Sequence, residues 1–152
     1  MRKRICCLLL LMTLILSGCV GRRTGQINYE NTNSNVGIIL EDLNADKCTC
    51  TVILYNNTDT DVGTGVDYLI QRQRNGKWQD VPFVTDDVAW TLPLFVAKSG
   101  SRCEYGADWT NYYGKLDKGQ YRLIKEYYYL REDGMYDPNA PKNYAVFEFS
   151  VD

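Results

Sequence analysis

The side chains able to do chemistry in this 152-residue chain are few, and histidine is not among them. Without imidazole, a His-dependent triad, a His metal ligand and a His pH switch are all excluded. Thiols come next. Cys48 and Cys50 lie two apart in an extended run and point to the same face, so in an oxidising compartment one of them can bridge Cys103. The spacing equally permits three buried, inert thiols. The acid pairs Asp86-Asp87 and Glu132-Asp133 sit in loop-like stretches and read as solvated charge, since glycoside hydrolysis needs two acids held across a cleft. Gly114-Lys115 lacks the upstream glycine and the following Ser/Thr of a phosphate loop. Asn57, Asp59 and Asp61 alternate like a calcium loop, but Val62 stands where glycine is required and Tyr68 where a bidentate Glu belongs. The residue types therefore predict no enzyme, no cofactor and no metal.

Aromatic side chains are the surplus: 12 Tyr and 3 Trp. They form two local groups, Trp109 with Tyr112 and Tyr113, and the run Tyr127, Tyr128, Tyr129. Alternation forbids three successive strand residues from all pointing inward, and an exposed Tyr gives a large rigid contact at little entropic cost. These six residues are the candidate binding surface, for a protein or, through Trp109, Tyr112 and Tyr113, for a cell-wall glycan. Trp78 and Trp90 read as core or hairpin anchors.

Arg2, Lys3 and Arg4 precede an apolar stretch from Ile5 to Leu16, which ends in Leu16-Ser17-Gly18-Cys19. That stretch is shorter than the roughly 20 residues a membrane-spanning helix needs, so it reads as a secretion signal. Its ending resembles the lipobox of bacterial lipoproteins, in which the cysteine, here Cys19, receives the lipid. Two or more acyl chains on Cys19 would hold the protein stably on the membrane. Residues 19–35 carry almost nothing apolar and are expected to be a tether, holding the domain on the order of 20 Å from the bilayer. Removing the three bases of the signal leaves 14 Lys and Arg against 19 acids, which argues against nucleic acid as a partner.

The elements that must position these groups are short β-rich runs separated by turn clusters, with no long helical period. Strands are expected at 36–41, 47–56, 65–73, 77–82, 100–108, 120–129 and 144–151, the spacing of an all-β sandwich or barrel. Asn75-Gly76 is the strongest turn, because both residues accept positive φ. Alternation places Cys48, Cys50, Val52 and Leu54 on one face, and Ala145, Phe147, Phe149 and Val151 on another inward face. In 120–129, Tyr121 and Leu123 face in, and Lys125 then breaks the parity; a bulge or an edge-emerging ammonium is expected. Residues 131–143 read as a long loop, expected to form the interaction surface together with Tyr127, Tyr128 and Tyr129.

Three stretches then coincide with a known family. They are Val52-Ile-Leu-Tyr-Asn-Asn-Thr-Asp59; Gly65-Val-Asp-Tyr-Leu-Ile-Gln-Arg72 with Asn75-Gly-Lys-Trp78; and Tyr113-Gly-Lys-Leu116 with Gly119-Gln-Tyr-Arg-Leu-Ile-Lys125. In order and spacing they resemble the small bacterial Ig-like domain of surface lipoproteins. Leu116, Gly119 and Tyr121 are similar to the tyrosine corner of Ig-like sandwiches. The resemblance implies an immunoglobulin-like β-sandwich of about seven strands and an extracytoplasmic location, and it brings no catalytic or ligand residues. The expected organisation is a lipoprotein signal at 1–18, a lipidated N-terminus and tether at 19–35, and the Ig-like domain at 36–152. The expected partners are the membrane, through the lipid anchor, and a protein or cell-wall glycan, an alternative role being that of an accessory subunit presenting a sheet edge to a membrane protein complex.

Overall fold

The computed structural model describes residues 29–90 and 94–152; the expected signal, the lipobox-like ending and Cys19 lie outside them. Among the described residues there are nine strands and no helix: β1 (Val36–Asn44), β2 (Thr49–Asn56), β3 (Val62–Thr64), β4 (Leu69–Arg74), β5 (Lys77–Asp80), β6 (Phe95–Ala97), β7 (Ser101–Asp108), β8 (Gly119–Tyr129) and β9 (Asn143–Val151). β1, β2 and β7 form a three-stranded antiparallel sheet; β5, β4, β8, β3 and β6, with β9 on β8, form a six-stranded one. All seven expected strands form, with the largest displacement at β4, which starts at Leu69. β3 and β6 are additional, and at three residues each they are too short to show alternation.

Between the sheets lies the core that alternation predicts. Cys50, Val52 and Leu54 of β2 are buried, as are Ala145, Phe149 and Val151 of β9. The expected hairpin joins β4 to β5, with Asn75 at φ 51° and Gly76 at φ 73°. The phenol of Tyr121 donates back to the carbonyl of Asp117 at 2.7 Å, closing the tyrosine corner over buried Leu116. At the turn after β2, buried Asn56 is the hub. Its amide donates to the carbonyls of Thr60 (2.8 Å) and Ala97 (3.0 Å), and its oxygen accepts from the Thr58 hydroxyl at 2.6 Å. One side chain thus ties the turn to β6.

Two expectations are corrected here. The β2–β7 register pairs Cys50 with Ala107 and Leu54 with Cys103, so Cys103 lies four strand residues, roughly 13 Å, from the position opposite Cys50. A disulfide spans only about 4.4–6.8 Å between Cα atoms. The bridge from Cys103 to Cys48 or Cys50 is therefore not made, and all three thiols are free. Cys48, held at φ 57°, turns its thiol to the carbonyl of Gly114 at 3.4 Å, and burial pushes the Cys50 thiol up to about 11.

Lys125 is the second. β8 pairs with β9 without a register shift from Gly119 to Tyr127, so there is no bulge, and Lys125 keeps the inward parity at 0% exposure. The reason lies on the other edge of β8. It pairs with β4 up to Ile124 and with β3 from Tyr128, and between these the chain at 65–68 leaves the ladder. The freed carbonyls of Gly65, at 2.8 Å, and Asp67 accept from the Lys125 ammonium, while the Thr64 hydroxyl donates to the carbonyl of Glu126 at 2.7 Å. A buried cation is tolerated because it satisfies backbone acceptors that the strand exchange strands in the interior.

The last residues expected in the tether are docked. Asn31 accepts from the amide of Val146 at 2.7 Å, and Thr32 exchanges two 2.9 Å bonds with Tyr144. Asn33 donates to the phenol of Tyr129 at 2.8 Å. This segment covers part of the free edge of β9, where unpaired strand groups would otherwise invite association.

Candidate functional site

The outward row of β8 is Arg122, Ile124, Glu126 and Tyr128. Ile124 faces Leu69 on β4 and Val146 on β9, an apolar band on a face that in a simple sandwich would be wet. It is covered instead. Arg122 is buried under Trp78, with its guanidinium 4.7 Å from the ring centroid, and it donates to Gln71 at 2.7 Å and to the carbonyl of Tyr29 at 2.9 Å. Beyond Arg122 the cover opens into a cavity of about 700 Å³ with Ile124, Leu69 and Glu126 in its floor. One wall comes from the strand-exchange segment and the loop before β6, with Tyr68, Trp90 and Leu94. The other comes from Tyr29, Tyr144 and the loop at 131–142, which brings Met135 and Tyr136.

Ring contacts hold these walls. Tyr136 stacks on Tyr128 with centroids 4.4 Å apart, Tyr29 meets Tyr144 edge-on at 5.0 Å, and Tyr68 leans on Trp90 at 5.2 Å. In the floor, the carboxylate of Glu126 accepts from the Tyr128 phenol on one oxygen and from the Lys142 ammonium, at 2.8 Å, on the other. Burial, reinforced by that carboxylate, holds the Tyr128 phenol protonated well above the ordinary tyrosine range. The bond to Glu126 raises Lys142. Nothing in this arrangement activates a nucleophile; it is a surface of rings around a paired carboxylate.

The six aromatic residues expected to form a binding surface divide. Tyr128 lies in the groove. Tyr129 is half-buried behind it, against Tyr127 and Asn33. Tyr127, expected at the surface, has 0% exposure, because β8 turns its odd-numbered residues inward. The Trp109, Tyr112, Tyr113 group is not a surface platform either. Trp109 is wholly buried, with its carbonyl accepting from the amides of Tyr112, Tyr113 and Gly114 in a tight turn. Tyr113 is buried and its phenol donates to the carbonyl of Tyr68 at 3.0 Å. Tyr112 alone stays partly exposed, stacked on Trp90 at 4.1 Å, and so props the groove from outside. Asp61 of the alternating acids is engaged by Lys98 at 2.7 Å and by the amide of Ser99 at 2.9 Å.

Dispersed aromatics at 29, 68, 90, 136 and 144 supply most of the groove, and no local pattern groups them. The available signals were the long loop at 131–143, which carries Met135 and Tyr136, and Ile124 facing outward on a strand whose inward row was already apolar, which marks a covered outer face.

This two-sheet antiparallel sandwich, with its tyrosine corner, is of the immunoglobulin-like class. The model of the bacterial Ig-like domain matches residues 27–143, and the chain belongs to that family. None of the curated proteins compared with the chain matches it.

Proposed function

We propose that the protein is a non-catalytic binding module, anchored by lipid on Cys19 to the extracytoplasmic face of the cell membrane, that engages a protein partner through the groove on the outer face of its larger sheet. The observation that carries this reading is the groove itself. A cavity of about 700 Å³ is within the size range of ligand sites, and its apolar floor is kept open by stacked rings on either side. Family membership supports a binding or structural module. Tyr29, a groove wall, is ten residues from Cys19 in the sequence, so a lipid on Cys19 would keep the groove within the reach of a short linker from the bilayer.

A protein partner is favoured over a wall glycan by the state of the rings. Sugar binding needs flat ring faces presented to solvent; here Tyr128 and Tyr136, and Trp90 and Tyr112, cover one another. Treating intact cells with a membrane-impermeant cross-linker tests the reading. The wild type should give a discrete adduct that the double variant Tyr128→Ala, Tyr136→Ala loses at equal abundance. Identical adducts from both would place the interaction elsewhere on the molecule.

A further inference from the structure

The groove carries an internal pattern of charge that specifies its occupant. Two carboxylates line it, Glu126 in the floor and Asp67 at the edge of the strand-exchange wall, against the single ammonium of Lys142. Asp67 makes no ion pair among the described residues. Its carboxylate folds back over Gly65, where an added Cβ would come within 2.5 Å of it and displace it. Glu126 is well sheltered, with 16% of its side chain exposed, whereas its partner Lys142 is 64% exposed and stands at the root of the long loop. An exposed lysine reaching a sheltered acid makes a weak, exchangeable pair. The same acid met by a cation arriving with its own apolar flanks would be shielded from water, where the attraction is stronger. Apolar groups lie on both sides of it, Leu69 and Leu94 toward one wall and Met135 toward the other.

Resting on the groove reading above, we infer that the groove accepts an extended segment of a partner protein in which a lysine or arginine is flanked by apolar residues, and that Lys142 is the chain's own stand-in for that cation. The incoming side chain displaces the Lys142 ammonium from Glu126, and its flanks cover Ile124 and Leu69. Charge complementarity supports this occupant over an acidic or neutral one, since without Lys142 the groove is lined by two acids and no base, and the nearby Lys125 ammonium is buried and taken up by the carbonyls of Gly65 and Asp67.

The test is calorimetric titration of the full mature chain in detergent micelles with two capped heptapeptides, identical apart from a central lysine or norleucine, which keeps lysine's four-carbon stem without the ammonium, between leucine and phenylalanine flanks. The lysine peptide should bind about tenfold more tightly than the norleucine peptide, and raising the salt should narrow the gap. Glu126→Gln should bring the two peptides together. Lys142→Ala, which removes the stand-in, should tighten the lysine peptide by about three- to tenfold. Norleucine binding as well as lysine, or weaker binding by Lys142→Ala, overturns the inference. Equal binding of both peptides that is lost in the Tyr128→Ala, Tyr136→Ala variant overturns it while leaving the groove as the site. Failure of both peptides, with adducts on intact cells that ignore that variant, overturns both readings.

Discussion

The Tyr121 phenol, bonded to the carbonyl of Asp117 at 2.7 Å, closes the turn into β8; Tyr121→Phe should cost about 1 kcal/mol in denaturant unfolding with the fold retained, and an unchanged midpoint would show that the corner bears no load. Lys125 is a buried ammonium, and burial brings it down from 10.5 to about 8. Above pH 8 the folded chain sheds this proton while the unfolded chain keeps it to about 10.5, so the unfolded state binds more protons and stability rises with pH in that window. The Cys50 thiol acts oppositely. Burial moves it from 9.0 to about 11, so the unfolded chain ionises first and stability falls above 9. Buried phenols such as Tyr68 and Tyr105, raised by desolvation, add to the loss above pH 10. The difference in unfolding free energy between wild type and Lys125→Met cancels the thiol and phenol contributions, and it should move in favour of the wild type from pH 8 to 10.5. A flat difference would contradict the buried charge.

Among the elements, those with strict alternation were legible in the residues and those set by strand exchange were not. The inward rows of β2 and β9 and the hairpin at Asn75 and Gly76 follow from period-two patterning and from the positive φ that glycine accepts. Gly76→Val should accordingly destabilise by about 1–2 kcal/mol, checked by thermal unfolding. Lys125 was illegible as a core residue because its partners are backbone carbonyls of residues 65 and 67, freed where β8 trades β4 for β3. Trp109 and Tyr113 looked like an exposed aromatic group because a tight turn, not a strand, orients them, and turns carry no alternation. Register decides the cysteines. Non-reducing peptide mapping should find no peptide linking Cys103 to Cys48 or Cys50, and a linked peptide would refute the β2–β7 alignment.

At the scale of the molecule, the groove is a product of assembly. Tyr29 comes from the segment before the first strand, Tyr68 from the strand exchange and Tyr136 from the loop before β9; only the fold brings them to the outer face of β8. The local hints were outward Ile124 and the long loop at 131–143, which carries Met135 and Tyr136. The proposed lipid anchor on Cys19 predicts that Cys19→Ala moves the protein from the membrane to the soluble fraction, and continued membrane retention would count against it. Anchoring and groove together define the proposed role of a binding module held near the bilayer. Its most direct test is site-specific photo-cross-linking on living cells, with a photoreactive residue in place of Met135 in the groove wall or in place of exposed Glu104 on the opposite sheet. Capture of one discrete protein from position 135 and none from position 104 is the predicted result. Equal capture from both positions, or capture from 104 alone, would contradict it.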